Sequence, residues 1–303
     1  MTINRAAFRG LAARGAARVL GETDNMLVNT KDILLEAQQQ KKAVAAFNVT
    51  NLETVQAAVS AAEQENRPVI IALGERYFPT VDVEGFSAMV RAIAAKAAVP
   101  VALHLDHAYE KQSIVRAIRC GFTSVMFDGS KHALERNMAL TRDIVEIAHM
   151  AGVSVEAEIG SVARGAFSDE EEGDGRLTDP EDAKRFVAET GVDFLAAAIG
   201  TVHGMYTGEP RIDLELLTRI RDAVRVPLVL HGGSGTPDEI IAEAVSRGIC
   251  KVNVNTEVSI AAVAELLRFA AKPDAARSHL STVMAEVQEA IQPVMRKFVK
   301  LLA

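Results

Sequence analysis

Tryptophan is absent from this 303-residue chain, aromatic residues make up 5% of it, and cysteine occurs only as Cys120 and Cys250. The two cysteines lie far apart with no C-x-x-C spacing. That excludes a disulfide scaffold and a thiolate zinc site, and it points to a reducing, cytoplasmic compartment. No window approaches the ~20 consecutive apolar residues of a membrane helix. An apolar stretch behind a basic start, the mark of a secretory signal, is missing as well. Long basic runs are also lacking: 33 Lys plus Arg stand against 40 Asp plus Glu, a net charge of -7 with pI ≈ 5.6. Nucleic acid and membranes are thereby set aside as partners. What is present is globular usage, 49% hydrophobic and 24% charged, at a length that suits two ordinary domains or one closed α/β barrel.

The first 25 residues read differently, with Arg5, Arg9, Arg14 and Arg18 spread among Ala, Gly and Leu and no acid before Glu22. This composition is shared with organelle transit peptides, but an accessory amphipathic helix or an upstream start codon ahead of Met26 demands less. The expected organisation is a dispensable extension over 1–25 and one catalytic unit over 26–303.

From residue 43 onward, short β-rich runs alternate with segments of helical periodicity. Eight runs stand out: Ala43 to Phe47, Val69 to Leu73, Val101 to Leu105, Ser124 to Phe127, Val153 to Glu158, Phe194 to Ile199, Pro227 to Leu230 and Cys250 to Val254. Helices are expected between them, among them Leu52 to Gln64 capped by Asn51, Asp179 to Thr190 with Pro180 in its first turn, Asp213 to Val224 and Asp238 to Ser246. An unbroken series of eight β-then-α units without a linker argues for a single (β/α)8 barrel, with an open sheet of six to eight strands as the alternative. The stretch between Gly160 and Thr178 is too long for its neighbours and reads as a structureless lid or binding loop. A helical tail from about Pro273 to Leu302 either covers the barrel's end or mediates self-association.

Barrel chemistry collects at the carboxyl ends of the strands. Those tips carry Asn48, then Asp106 and His107, Asp128, Glu156 and Glu158, His203, His231, and Asn253 with Asn255. A lone histidine beside an apolar run is more often a hydrogen-bonded core residue. Three of the seven histidines at equivalent tips are instead the ligand set of a catalytic zinc site with one position open. In HLDH the period of two puts His104 and Asp106 on one face, so His107 reaches the same mouth only as a loop residue beyond the strand. No H-E-x-x-H pair exists, which removes the metalloprotease class. HGGSG, residues 231–235, reads as a phosphate cradle backed by the helix that begins near Pro237, with Ser234 and Thr256 as hydroxyl donors. Lys251, Asn253 and Asn255 share one strand face, and Lys251 is either a buried ion-paired lysine or a Schiff-base nucleophile.

FNVTNLETVQA, HLDHA, SVMFDGS, VEAEIG, IGTVHGMY, LHGGSG and GICKVNVNTE resemble the class II ketose-bisphosphate aldolases, closest to the tagatose- and fructose-bisphosphate branch, over nearly the whole chain from Met26. The resemblance implies a homodimeric or homotetrameric zinc enzyme that reversibly cleaves a ketose bisphosphate into dihydroxyacetone phosphate and an aldehyde. It implies His107, His203 and His231 as zinc ligands, and Asp106 as the residue that moves a proton at the aldehyde-derived hydroxyl. Asn253 would meet the enediolate, while Asn48, Gly204, Gly232, Gly233, Ser234, Asn255 and Thr256 would surround substrate and phosphate. A monovalent cation such as sodium would lie at Val202, Gly204 and Gly232. Asp128, Glu156 and Glu158 fit as groups that orient the imidazoles or as alternate metal positions.

Three positions depart from the family's pattern. Gly74 stands where Ser or Thr is usual after strand two, Ala166 where the strand-five loop carries its acid, and Asn255 where Ala or Asp is common. Glu170, Glu171 and Glu172 follow Ala166 closely, either as a solvated run or as acids that close over the mouth. Beside the zinc aldolase stand two further readings, a Schiff-base aldolase using Lys251 and a catalytically silent sugar-phosphate-binding subunit.

Overall fold

The computed structural model describes residues 26–170 and 173–303. Residues 1–25, expected as a dispensable extension, lie outside the described residues, as do Glu171 and Glu172. The strands are β1 (Val44–Asn48), β2 (Val69–Gly74), β3 (Val101–Ala108), β4 (Ser124–Phe127), β5 (Ser154–Ile159), β6 (Ala163–Arg164), β7 (Phe194–Ala197), β8 (Val202–His203), β9 (Leu228–Leu230) and β10 (Ile249–Val254). Eight of them close into a parallel barrel in the order β1-β10-β9-β7-β5-β4-β3-β2. This is the (β/α)8 architecture, and closure leaves the open-sheet alternative no place.

The helices are α1 (Thr30–Gln40), α2 (Leu52–Glu65), α3 (Val83–Ala94), α4 (Lys111–Cys120), α5 (Leu134–Met150), α6 (Pro180–Thr190), α7 (Leu214–Ala223), α8 (Asp238–Ser246), α9 (Thr256–Ala270) and α10 (Leu280–Leu301). Their starts follow local chemistry. Asn51 and Thr54 form a reciprocal capping box on α2, and Asp179 caps α6 ahead of Pro180. Asp213 caps α7. A cap satisfies amide groups that no earlier turn can reach.

Two apolar layers result from strand alternation. Outward side chains such as Phe47, Leu103 and Val155 pack under the helices. Inward ones, among them Val44, Ala46, Ile70, Ala102 and Phe194, form an inner layer completed by Ile33, Leu34 and Ala37 of α1. Helix α1 therefore plugs the amino-terminal end of the barrel. Thr30 Oγ1 meets Ser124 Oγ at 2.5 Å, and Lys31 Nζ meets Asp193 Oδ1 at 2.7 Å.

The carboxyl-terminal helix does not cover that end. Helix α10 packs along the outside against α2 and α9, and the carbonyl of Leu302 accepts from the amide of Ala43 at 3.0 Å. Nor is the strand-five connection structureless. Strand β6 pairs in parallel with β8, and Ala166 bridges Met205. A two-residue strand carries no readable periodicity, so only its partner reveals it.

Candidate active site

The site begins with a fault in a strand. Strand β3 runs through Ala108, so His107 lies inside the strand rather than in a following loop. Register with β4 holds at His104↔Ser124 and Leu105↔Val125, then slips to Ala108↔Phe127. Within this bulge His107 takes a positive φ of 39°, a conformation that costs a side-chain-bearing residue about 1 kcal/mol or more. Plain alternation would send His107 outward to the helices. The bulge turns it back, so that Asp106 and His107 both reach the mouth as buried neighbours.

Three imidazoles converge there. Ring centroids are 4.9 Å apart for His107 and His203, 4.6 Å for His107 and His231, and 5.7 Å for His203 and His231. Asp128 Oδ2 engages His107 Nδ1 at 3.0 Å, and Glu156 Oε1 engages His231 Nε2 at 2.7 Å. These carboxylates assign the tautomers, which leaves His107 Nε2 and His231 Nδ1 facing each other at 2.8 Å. His203 Nε2 is buried without a hydrogen-bond partner. One ligand atom from each ring falls within 4.8 Å of the others. An orphaned buried nitrogen beside two imidazole nitrogens that share a single proton is a donor set that fits a divalent metal, which would take that proton's place.

The electrostatics separate the acids by role. Burial opposes ionisation of Asp106, but His107, Lys251 and His231 outweigh it and hold its carboxyl well below the usual range. Both its oxygens accept amide hydrogens, from Asn48 at 2.8 Å and Asn253 at 2.9 Å. Glu156 is likewise buried, yet Lys251 and His231 lower it to about 2. Glu158 goes the other way: burial and then Asp128 push it well above the ordinary carboxylate value. Burial lowers His203 and His231, each with His107 as the next cause. His107 is raised, because Glu170, Asp106 and Asp128 overcome the burial that would lower it. Lys251 lies fully enclosed beneath the site, 2.5 Å from Glu156 Oε2 and 3.2 Å from His104 Nε2.

The glycine-rich turn after β9 lies beside the histidines. Gly232 has φ +75°, and a Cβ there would stand 2.1 Å from the Val202 carbonyl. Gly204, with φ +97°, would bring one 2.4 Å from Ala166 O. Only glycine tolerates both demands. Gly233 N donates to Asn253 O at 3.0 Å. Ser234 and the first residue of α9, Thr256, line the cavity, whereas no residue of α8 does. The helix start that lines the cavity is that of α9, while the glycine-rich turn itself runs on through Pro237 into α8. Asn255 precedes α9 without capping it.

The strand-five connection brings Glu170, one of the three acids expected either as a solvated run or over the mouth, to the cavity, and it adds Asp169, which was not anticipated. Gly165 N donates to His203 O at 2.7 Å, which pins the segment over the mouth. Asp169 and Glu170 then line the same cavity as Asn48, Asp106, His107 and Asn253. Tyr77 donates its hydroxyl to Asp169 Oδ2, and Asn255 Nδ2 donates to Asp169 Oδ1 at 2.9 Å. Glu170 Oε1 lies 2.6 Å from Arg76 Nη1. Arg76 and Tyr77 follow the tip of β2 directly, and that position was the available signal.

Residues 28–302 match the family model described as "Fructose-bisphosphate aldolase class-II". The chain belongs to that family. The fructose-bisphosphate aldolase of Geobacillus stearothermophilus is 46% identical over 253 residues, covering 80% of this chain and 86% of that protein. A probable fructose-bisphosphate aldolase of Bacillus subtilis (strain 168) is 43% identical over 286 residues, covering 90% and 97%. Among solved structures, the YdjI aldolase of Escherichia coli K12 superimposes with a TM-score of 0.82 at 37% identity, covering 91% of this chain and 97% of that one. The protein is thus an aldolase, a lyase for metal-dependent cleavage of phosphorylated ketoses. Among the described residues no helix is long and apolar enough to cross a membrane.

Proposed function

We propose that His107, His203 and His231 hold one zinc ion per chain, and that the protein reversibly cleaves a ketose bisphosphate of the fructose or tagatose type into dihydroxyacetone phosphate and an aldehyde. The observation that carries this reading is the meeting of three imidazole nitrogens, one of them buried and partnerless, beside an ionised Asp106. Three imidazole nitrogens suit zinc, whose binding would displace the proton that the raised His107 holds and would leave a coordination position for substrate. When bound, zinc supplies Lewis-acid neutralisation of the charge that develops on the ketose oxygens.

The remaining work belongs to the chain. Asp106 takes the proton from the hydroxyl on the carbon that departs as aldehyde, and returns it in the condensation direction. Asn48 and Asn253 fix that carboxylate, while their own amide oxygens, both buried and unpartnered, face substrate as acceptors. Asn253 thereby borders the enediolate side of the reaction. Asp128 and Glu156 orient two of the imidazoles, and Glu158 stands behind them as an alternate metal position. Backbone amides at Gly204, Gly232 and Gly233, the hydroxyls of Ser234 and Thr256, and Asn255 receive the phosphate at the start of α9. The carbonyl groups of Val202, Gly204 and Gly232 suit a monovalent cation such as sodium. A homodimer or homotetramer in the cytoplasm belongs to the same proposal.

Full enclosure and the Glu156 ion pair leave Lys251 no approach to a ketone, which weighs against the Schiff-base alternative. The intact set around Asp106 weighs against a silent subunit. The test is a retro-aldol screen of phosphorylated ketoses with and without chelator, joined to elemental analysis. Cleavage lost with chelator and restored by zinc is the expected result, at about one zinc per chain. Borohydride trapping of a covalent adduct, or any of the three His→Ala variants keeping full metal and activity, would overturn it.

A further inference from the structure

On the aldolase reading above, we propose that Arg76 is the specificity residue for the far end of the ketose, recognising an anionic group, phosphate or carboxylate, on the aldehyde fragment. The inference starts from direction. The phosphate cradle lies after β9 and at the start of α9, the imidazoles lie next to it, and Asp106 marks the hydroxyl on the departing carbon. Substrate carbons beyond that hydroxyl leave the cradle behind. Asp106 pairs in register with Gly74 at the end of β2, so the aldehyde fragment passes over the tip of that strand.

At that tip a side chain is missing and a guanidinium has taken the space. A Cβ on Gly74 would stand 2.7 Å from Arg76 Nη1, so the hydroxyl usual at position 74 and the present position of Arg76 exclude each other. Arg76 is mostly buried, lies over the Tyr77 ring at 4.5 Å, and donates from Nη2 to Tyr77 Oη at 3.2 Å. Its carboxylate neighbours are those of the strand-five connection: Glu170 Oε1 at 2.6 Å from Nη1 and Asp169 Oδ2 at 3.4 Å from Nε. These contacts are close but poorly aligned, since neither Nε nor Nη1 makes a directed hydrogen bond. A buried, always charged fork held by misaligned carboxylates retains its capacity for bidentate recognition of an oxyanion. Glu170, which lines the substrate cavity, occupies the place of that oxyanion.

The experiment measures kcat/KM of the full-length, zinc-loaded enzyme for three cleavable ketoses: a 1,6-bisphosphate, a 1-phosphate with a terminal carboxylate, and a 1-phosphate with a neutral end. The wild type is expected to favour one or both anionic-ended substrates over the neutral one, and the preferred anion identifies the source. In Arg76→Met this preference falls about 10-fold to 100-fold, the worth of a lost charge-assisted hydrogen-bond pair. Arg76→Lys recovers part of it. Gly74→Ala, which keeps the guanidinium but displaces it, lowers the preference as well. An Arg76 that only anchored the strand-five connection, or that served the cradle phosphate, would lower all three substrates alike, and that result overturns the inference. So does a wild type indifferent to the far end. Proton exchange from dihydroxyacetone phosphate separates the two failures. Its absence in the wild type sinks the aldolase reading together with this inference, whereas normal exchange with an unmoved preference sinks the inference alone.

Discussion

Asp106 is the residue on which the proton bookkeeping rests, and its surroundings explain why it stays a base. A carboxylate removed from water would ordinarily take up a proton, but two amide donors and the nearby imidazole and ammonium charges favour the ionised form. Its partners come from strands β1 and β10, which flank one another in the barrel, so the carboxylate's position is set by the sheet and not by a loop. Replacing it should therefore leave the fold and the metal in place. Asp106→Ala is expected to keep zinc content by elemental analysis while turnover falls by about 10² or more, the scale of positioned acid-base help. A variant that cleaves at near-normal rate would transfer the role to another carboxylate at the mouth, with Glu170 the nearest candidate.

At the scale of elements, the regular barrel was legible because each strand is a short apolar run and each helix start has a cap. The residues Asn51, Asp179 and Asp213 act as the sequence suggests. Tip logic also assembled most of the mouth, since Asn48, Asp106, His203, His231 and Asn253 line one cavity. What escaped has physical causes. The β3 bulge breaks the period of two on which the loop placement of His107 depended. The β6–β8 pairing is too short to show a period, and Arg76 and Tyr77 belong to a 3-10 turn with none. Helix α1 was overlooked because the eight-unit count begins after it, yet it fills the inner layer. Leu34 is fully buried there among inward strand residues. Leu34→Ala should cost about 2–5 kcal/mol through lost contacts and a cavity that strands cannot close. Urea unfolding measures the loss. Because α1 plugs the end opposite the site, zinc content in the native baseline should stay unchanged, and a metal loss there would show that the plug also shapes the mouth.

On the scale of the whole molecule, the question is where the self-sufficient folding unit starts. Among the described residues, backbone pairing begins at Met26, and we propose the boundary there. The amide of Val101 donates to Met26 O at 2.8 Å, and Val28 N donates to Val101 O at 2.9 Å, so the segment just ahead of α1 is stitched to the first residue of β3. Removing Met26 to Val28 would leave those groups unpaired beside the plug. Removing residues 1–25 breaks none of the pairings among the described residues, and the family match itself begins at residue 28. A chain begun at Met26 is therefore expected to unfold in urea at the full-length midpoint, bind about one zinc, and retain kcat/KM within about 2-fold, since every side chain placed at the site follows Met26. A second truncation, begun at Asn29, should unfold at a clearly lower urea concentration because it removes the Met26 and Val28 pairings. If both truncations behaved alike, the pairing would be decorative. If the first alone failed to fold or changed its assembly state in sedimentation, residues 1–25 would be structural, and the boundary at Met26 would be wrong.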